Sequence, residues 1–230
     1  MNLGTHTIDM MRYVLGDPAA VAVIGAVQRE TDRYERAMRI EDSCAGIIEF
    51  DNGVRALVES DLTPCVPISV NCTFYGTEGA LAIDEDYVRL MQGGGGWRDL
   101  AGTPPARTAP ETYDTRAFGA PAWYHMGGHR GPGHLAAIKQ ASVAQARELL
   151  GWLEGRIDDY RGEARHGYAV LEIMLALYES ARLHEVTRLP LQTRVHPLDL
   201  MVESGSLPVT RPGKYDIRSF LVRGEGMSWV

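Results

Sequence analysis

At 230 residues, with 45% hydrophobic and 23% charged positions, the chain has the composition of an ordinary globular protein long enough to bury a sizeable core. A formal net charge of −7 and the lack of any Lys/Arg-rich run exclude a nucleic-acid-binding surface, so small molecules or another protein are the expected partners. The longest apolar stretch, 168–178, is interrupted by Glu172, and the first residues have neither the basic nor the apolar region of a signal peptide, so no membrane partner or leader is expected.

The chain opens on a polar cluster, Asn2-Leu3-Gly4-Thr5-His6-Thr7-Ile8-Asp9, that runs into a short helix over residues 6–16. Ile8, Met11 and Leu15 form its inward stripe, and Gly16 stops it before Pro18. Asn2 and His6 are four apart and share a face if the first helical turn begins there, which makes His6 a candidate acid/base. Strands are expected over 21–27 and 43–50, and Asp51-Asn52-Gly53 is a hairpin signal leading into 54–60, because Asn-Gly tolerates positive φ. In that last strand Val54, Ala56 and Val58 face one way and Arg55, Leu57 and Glu59 the other. The sheet continues with 68–75, a turn at Gly76-Thr77-Glu78-Gly79, then 80–83 and 87–91.

Between residues 92 and 133 the composition shifts to Gly, Pro, Thr and Arg with scattered aromatics, which reads as a long functional loop. Two helices follow, 135–159 and 168–184. The second is apolar nearly all round and is expected to lie across the sheet with only Glu172, Glu179 and Arg182 reaching water. After Leu191 the periodicity is lost. The order of elements implies an α+β layer structure: an open, mainly antiparallel sheet with helices packed on one face and the other face free for oligomerisation. Residues 1–191 read as one domain and 192–230 as an irregular arm, with Phe220, Leu221, Val222 and Trp229 available to pack on a neighbour.

The ordered series Asn2 to Asp9, Glu41-Asp42 before a strand, Phe50-Asp51-Asn52-Gly53, Tyr75-Gly76-Thr77-Glu78-Gly79, and Ala176-Leu177-Tyr178-Glu179-Ser180-Ala181 ahead of Leu189-Pro190 resembles the glucose–fructose oxidoreductase / inositol dehydrogenase / MocA family. The resemblance spans residues 2–191. It implies a dehydrogenase whose nicotinamide cofactor, NAD or NADP, binds an N-terminal Rossmann domain, while the part present here supplies substrate contacts, a histidine acid/base and an oligomer interface. His6 matches the family histidine. Asn2 stands where members commonly carry aspartate, so a hydrogen-bonding role is implied rather than that of a second carboxylate. These 230 residues contain neither a strand–G-x-G-x-x-G–helix unit nor the family's Glu-Lys-Pro segment, and the run Gly93 to Gly96 lacks the Rossmann spacing.

The expectation is therefore the substrate-binding and acid/base half of an NAD(P)-dependent sugar or polyol oxidoreductase, truncated or split from its nucleotide-binding domain and inactive without it. It would act as a cytoplasmic homo-oligomer with a Rossmann-domain partner. The alternative is a non-enzymatic sugar-binding or subunit-assembly module. Oxidising a secondary alcohol requires its proton to leave as hydride departs, and an imidazole accepts a proton at working pH. At a helix start the dipole would keep His6 neutral and able to act as base.

Other residues carry less. Asp9 is expected to serve as a helix-dipole partner. His125, His129 and His134 lie within ten residues, but glycines and a proline break the segment and no local carboxylate or cysteine joins them, so no metal is expected. Trp123 and Tyr124 offer aromatic surface, and Tyr124 and His129 are the candidate substrate contacts. Cys44, Cys65 and Cys72 are an odd set in strand-like segments, as expected of free thiols in a reducing compartment. Asp84-Glu85-Asp86 reads as a solvated turn.

Overall fold

A computed structural model describes residues 2–28, 41, 43–61, 72–83, 88–100 and 132–207. The elements in chain order are α1 (Asn2–Val14), β1 (Ala20–Gln28), β2 (Ser43–Phe50), β3 (Arg55–Asp61), β4 (Cys72–Gly76), β5 (Gly79–Ile83), β6 (Val88–Gln92), β7 (Arg98–Asp99), α2 (Pro132–Leu153), α3 (Ala164–Leu183), β8 (Thr187–Arg188) and α4 (Pro197–Ser204). The strands form two antiparallel four-stranded sheets, ordered β3-β2-β1-β8 and β4-β5-β6-β7. The meander expected from the alternation is thus divided: β4 pairs with β5 and not with β3. The described residues fall into two compact units, one within Met1–Cys65 and Ala164–Arg223, the other within Val66–Glu163.

In the first unit, α1 and α3 cover one face of the first sheet, and α4 packs on α3. The register pairs Val23 with Ile48, Gly25 with Gly46, Ile48 with Ala56 and Gly46 with Val58, so these residues share the inner face. Ile8 and Met11 of α1 and Ile173, Ala176 and Leu177 of α3 are buried against it. Ile24, Ile47 and Leu57 occupy the outer face and are exposed, Leu57 to 82%. The hairpin between β2 and β3 closes as its sequence requires: Gly53 has φ +83°, its N–H donates to Phe50 O at 3.0 Å, and Asn52 Oδ1 accepts from Val54 N at 3.1 Å.

The cross-strand pair Gly25 and Gly46 lets α3 approach the sheet. A Cβ at Gly25 would stand 2.5 Å from Leu177 O, and one at Gly46 would stand 2.5 Å from both Ile24 O and Leu177 Cδ2. Only glycine fits such close approach of a helix to a strand backbone. The Gly25 N–H donates to Ser180 Oγ at 3.0 Å, and Ser180 Oγ in turn donates to Glu185 O, so the helix satisfies a strand amide beyond the two-residue pairing of β8 with Ala22 and Val23.

Several boundaries differ from expectation. α1 begins at Asn2 rather than residue 6, and α3 at Ala164 rather than residue 168. α2 ends at Leu153 rather than near residue 159, because Gly155 turns left-handed at φ +69° and its N–H returns to Trp152 O at 3.0 Å. Within the segment expected to be irregular, α4 is a capped helix whose Pro197, Leu198 and Met201 are buried. Glu179, expected to reach water, is 3% exposed.

Candidate functional site

α1 carries His6. Its buried sector holds Ile8 and Met11, while His6 and Tyr13 are exposed on the opposite side and Asp9 is half-buried between them. Because the helix starts at Asn2, Asn2 and His6 lie one turn apart in one helix, as the spacing required. The same start moves His6 to the fifth helical residue, away from the free amides of the first turn, where the dipole acts most strongly. The side chain of Asn2 lies outside the described residues, as do Tyr124 and His129 entirely.

The far end of α1 is anchored. Arg12 is buried, donates from Nε to Pro18 O at 3.4 Å and stands 3.7 Å from Asp17. Asp17 lies in the left-handed region at φ 58°, its N–H donating to Arg12 O at 2.7 Å, and its other oxygen is 3.9 Å from Nδ1 of the buried His166 on α3. Helix, turn and α3 are thus joined at one point, which sets the direction in which α1 presents His6.

α3 is tied down along its length by polar groups, among them Glu172 and Glu179, which its apolar pattern alone would leave in water. Tyr178 Oη donates to Glu41 Oε1 at 2.6 Å, with both residues buried. Burial, and then the nearby Glu41 carboxylate, raise the Tyr178 phenol above its ordinary value. Glu179 accepts from Arg182 Nε at 2.7 Å and Nη2 at 2.8 Å and from Thr193 Oγ1. The Arg182 hydrogen bonds, reinforced by Thr193, hold the Glu179 carboxyl below the usual range against the opposing effect of burial. Glu172 Oε1 accepts from Leu191 N at 3.1 Å. Glu41 and Tyr178 each belong to a motif of the resemblance, but nothing in either segment says that they meet.

Burial and then Glu41 push the Cys44 thiol up to about 12, and burial raises that of Cys72, so neither is a ready nucleophile. Cys65 lies outside the described residues. Among the described residues no three His, Cys, Asp or Glu side chains gather as a metal site; His125 and His129, the His134 side chain and Asp84 to Asp86 are not among them. Nor do the described residues fit a dinucleotide. Gly93 and Gly94 have positive φ but join β6 to β7 in an antiparallel turn, with Gly95 N donating to Gln92 O at 3.1 Å, and no helix follows to present its N-terminus to a pyrophosphate. Among the described residues no helix is long and apolar enough to cross a membrane.

Residues 1–82, which include α1 and β1 to β4, match the GFO/IDH/MocA C-terminal domain. The motifs read at Asn2 to Asp9, Glu41-Asp42, Phe50 to Gly53 and Tyr75 to Gly79 fall within that match. Among solved structures, the chain is similar to levoglucosan dehydrogenase in complex with NADH and levoglucosan (18% identity, TM-score 0.57, 81% of this chain and 48% of that one). It is similar to aldose-aldose oxidoreductase from Caulobacter crescentus complexed with glycerol (17%, TM-score 0.54, 81% and 46%). A third likeness is to the WlbA dehydrogenase from Bordetella pertussis in complex with NADH and UDP-GlcNAcA (17%, TM-score 0.50, 82% and 46%). At these identities the likeness is one of fold, and the chain spans about half the length of the structures it matches. No curated protein matches the sequence.

Proposed function

We propose that this chain is the sugar- or polyol-binding and acid/base half of an NAD(P)-dependent oxidoreductase, acting in the cytoplasm as a homo-oligomer with a dinucleotide-binding domain supplied from outside these 230 residues. The observation that carries this reading is His6, exposed on a helix anchored at its far end by Arg12 and Asp17, within the residues that match the GFO/IDH/MocA C-terminal domain. The sugar and NADH complexes among structures of this fold support the substrate class and the cofactor.

When bound, the nicotinamide accepts hydride from the carbinol carbon. The task of this chain is the proton. His6 takes it from the substrate hydroxyl, imidazole being the side chain suited to proton transfer near neutrality. Asn2, one turn away, orients the imidazole or binds a neighbouring hydroxyl, and Tyr124 and His129 contact the substrate. The exposed Ile24, Ile47 and Leu57 face of the first sheet is the surface we assign to a second copy of the chain.

The experiment is polyol-dependent reduction of NAD or NADP by this chain together with its nucleotide-binding domain, with and without His6→Ala. A loss of about 10²- to 10⁴-fold in kcat is expected for a general acid/base, and an unchanged rate removes His6 from the reaction. The 230-residue chain alone should not bind NADH in a calorimetric titration. Micromolar binding would contradict the proposed division between the two domains.

A further inference from the structure

The outer face of the first sheet carries its charges in order. The register pairs Ile24 with Ile47 and Ile47 with Leu57, so these three exposed side chains form one row straight across β1, β2 and β3. Two residues to one side, Glu49 pairs with Arg55, whose Nε donates to Glu49 Oε1 at 3.0 Å while the Arg55 side chain stays 76% exposed. Two residues to the other side, Ala26, Ala45 and Glu59 form an exposed row in which Glu59 carries the one charge. Arg55 and Glu59 therefore stand on one strand and one face, each about 7 Å along the strand from Leu57.

Resting on the assignment of this face to a second copy of the chain, we propose that two copies pack face to face about a two-fold axis lying along the Ile24-Ile47-Leu57 row, so that Arg55 of each copy pairs with Glu59 of the other. Sheets stacked about 10 Å apart keep their strands within about 30° of alignment, which gives a two-fold axis in the interface two settings, along the strands or across them. An axis along the strands lays each row on its own counterpart, and Glu59 is pressed onto a row that holds no cation. A carboxylate desolvated without a partner opposes association. An axis across the strands, centred on the apolar row, exchanges the rows on either side of it. Ile24, Ile47 and Leu57 then meet their own counterparts, and Arg55 comes over Glu59 twice, once on each side of the axis. Both side chains are long enough to meet across the gap. The partner this face fits is a copy of itself in one orientation, held by apolar contact and selected by charge.

The test is sedimentation equilibrium of the 230-residue chain from about 1 to 200 µM. The chain should dimerise, and Leu57→Asp should abolish the dimer. Arg55→Glu and Glu59→Arg each set like charges against one another at both contacts, so each homodimer should weaken about tenfold or more. An equimolar mixture of these two variants restores both pairs, and its heterodimer should return to within about threefold of the unsubstituted affinity. A dimer that Leu57→Asp abolishes, but that the charge variants do not weaken or their mixture does not rescue, overturns the orientation and leaves this face as the interface. A monomer throughout, or a dimer indifferent to Leu57→Asp, overturns both. All three side chains are exposed, and circular dichroism verifies that each variant is folded.

Discussion

Tyr178 Oη and Glu41 Oε1 meet at 2.6 Å inside the first unit, joining the middle of α3 to a residue 137 positions earlier, two before β2. Removal of this bridge has a calculable cost. Tyr178→Phe keeps the ring and deprives a buried carboxylate of a donor, so a loss of about 1–3 kcal/mol is expected. Urea unfolding measures it, and a change below about 0.5 kcal/mol would mean that the bridge contributes nothing net.

Glu179 makes the stability of this unit depend on pH in a definite direction. Its folded-state carboxyl lies below the ordinary glutamate value of 4.5, because hydrogen bonds from Arg182 and then Thr193 favour the charged form. The stabilisation is therefore fully present above about pH 4.5 and is lost as pH falls through the depressed folded value. Glu179→Gln should lower stability at pH 7 and flatten the decline on the acid side. Unfolding midpoints of both proteins at pH 7 and pH 3 test this; parallel curves would exclude Glu179 as the source.

Gly25→Ala should be among the most damaging small substitutions in the chain, since the added methyl would stand 2.5 Å from the Leu177 backbone oxygen. Neither partner can swing aside, so a loss above about 3 kcal/mol or failure to fold is expected. Gly53→Ala is the control: it meets open space and suffers only its positive φ, a cost of about 1 kcal/mol. Thermal unfolding should separate the two clearly, and similar Tm values would refute the close approach of α3.

His196 caps α4 by accepting from Leu198 N through Nδ1 at 3.3 Å. His196→Ala should cost about 1 kcal/mol, whereas His196→Asn or His196→Asp should restore most of it. Amide exchange at Leu198 and Asp199 reports the cap locally, and equal protection in all four proteins would show that Pro197 starts the helix unaided.

Which features could be read in advance follows from the range of the forces behind them. Alternation located β2 to the residue and the inner face of β3, because one face of a sheet is buried and the period is two. Asn52-Gly53 announced its turn, and the apolar stripe of Ile8 and Met11 announced α1. β8 escaped notice because two residues carry no period. α4 could have been found, since Pro197 and Gly205 stand at the expected start and end signals for a helix.

The candidate site divides in the same way. His6 and its spacing from Asn2 were legible in local sequence, and so were the fold class and the absence of a dinucleotide fingerprint from these residues. Tertiary structure alone decided that Glu179 is buried rather than solvated, that Tyr178 meets Glu41, that Arg12 and Asp17 anchor α1, and that Gly25 faces Leu177. The reason is physical. Periodicity and turn chemistry act within a few residues and leave their mark on consecutive positions. The partner of a buried charge, by contrast, is chosen by how the chain closes over more than a hundred residues, and no local pattern records that choice.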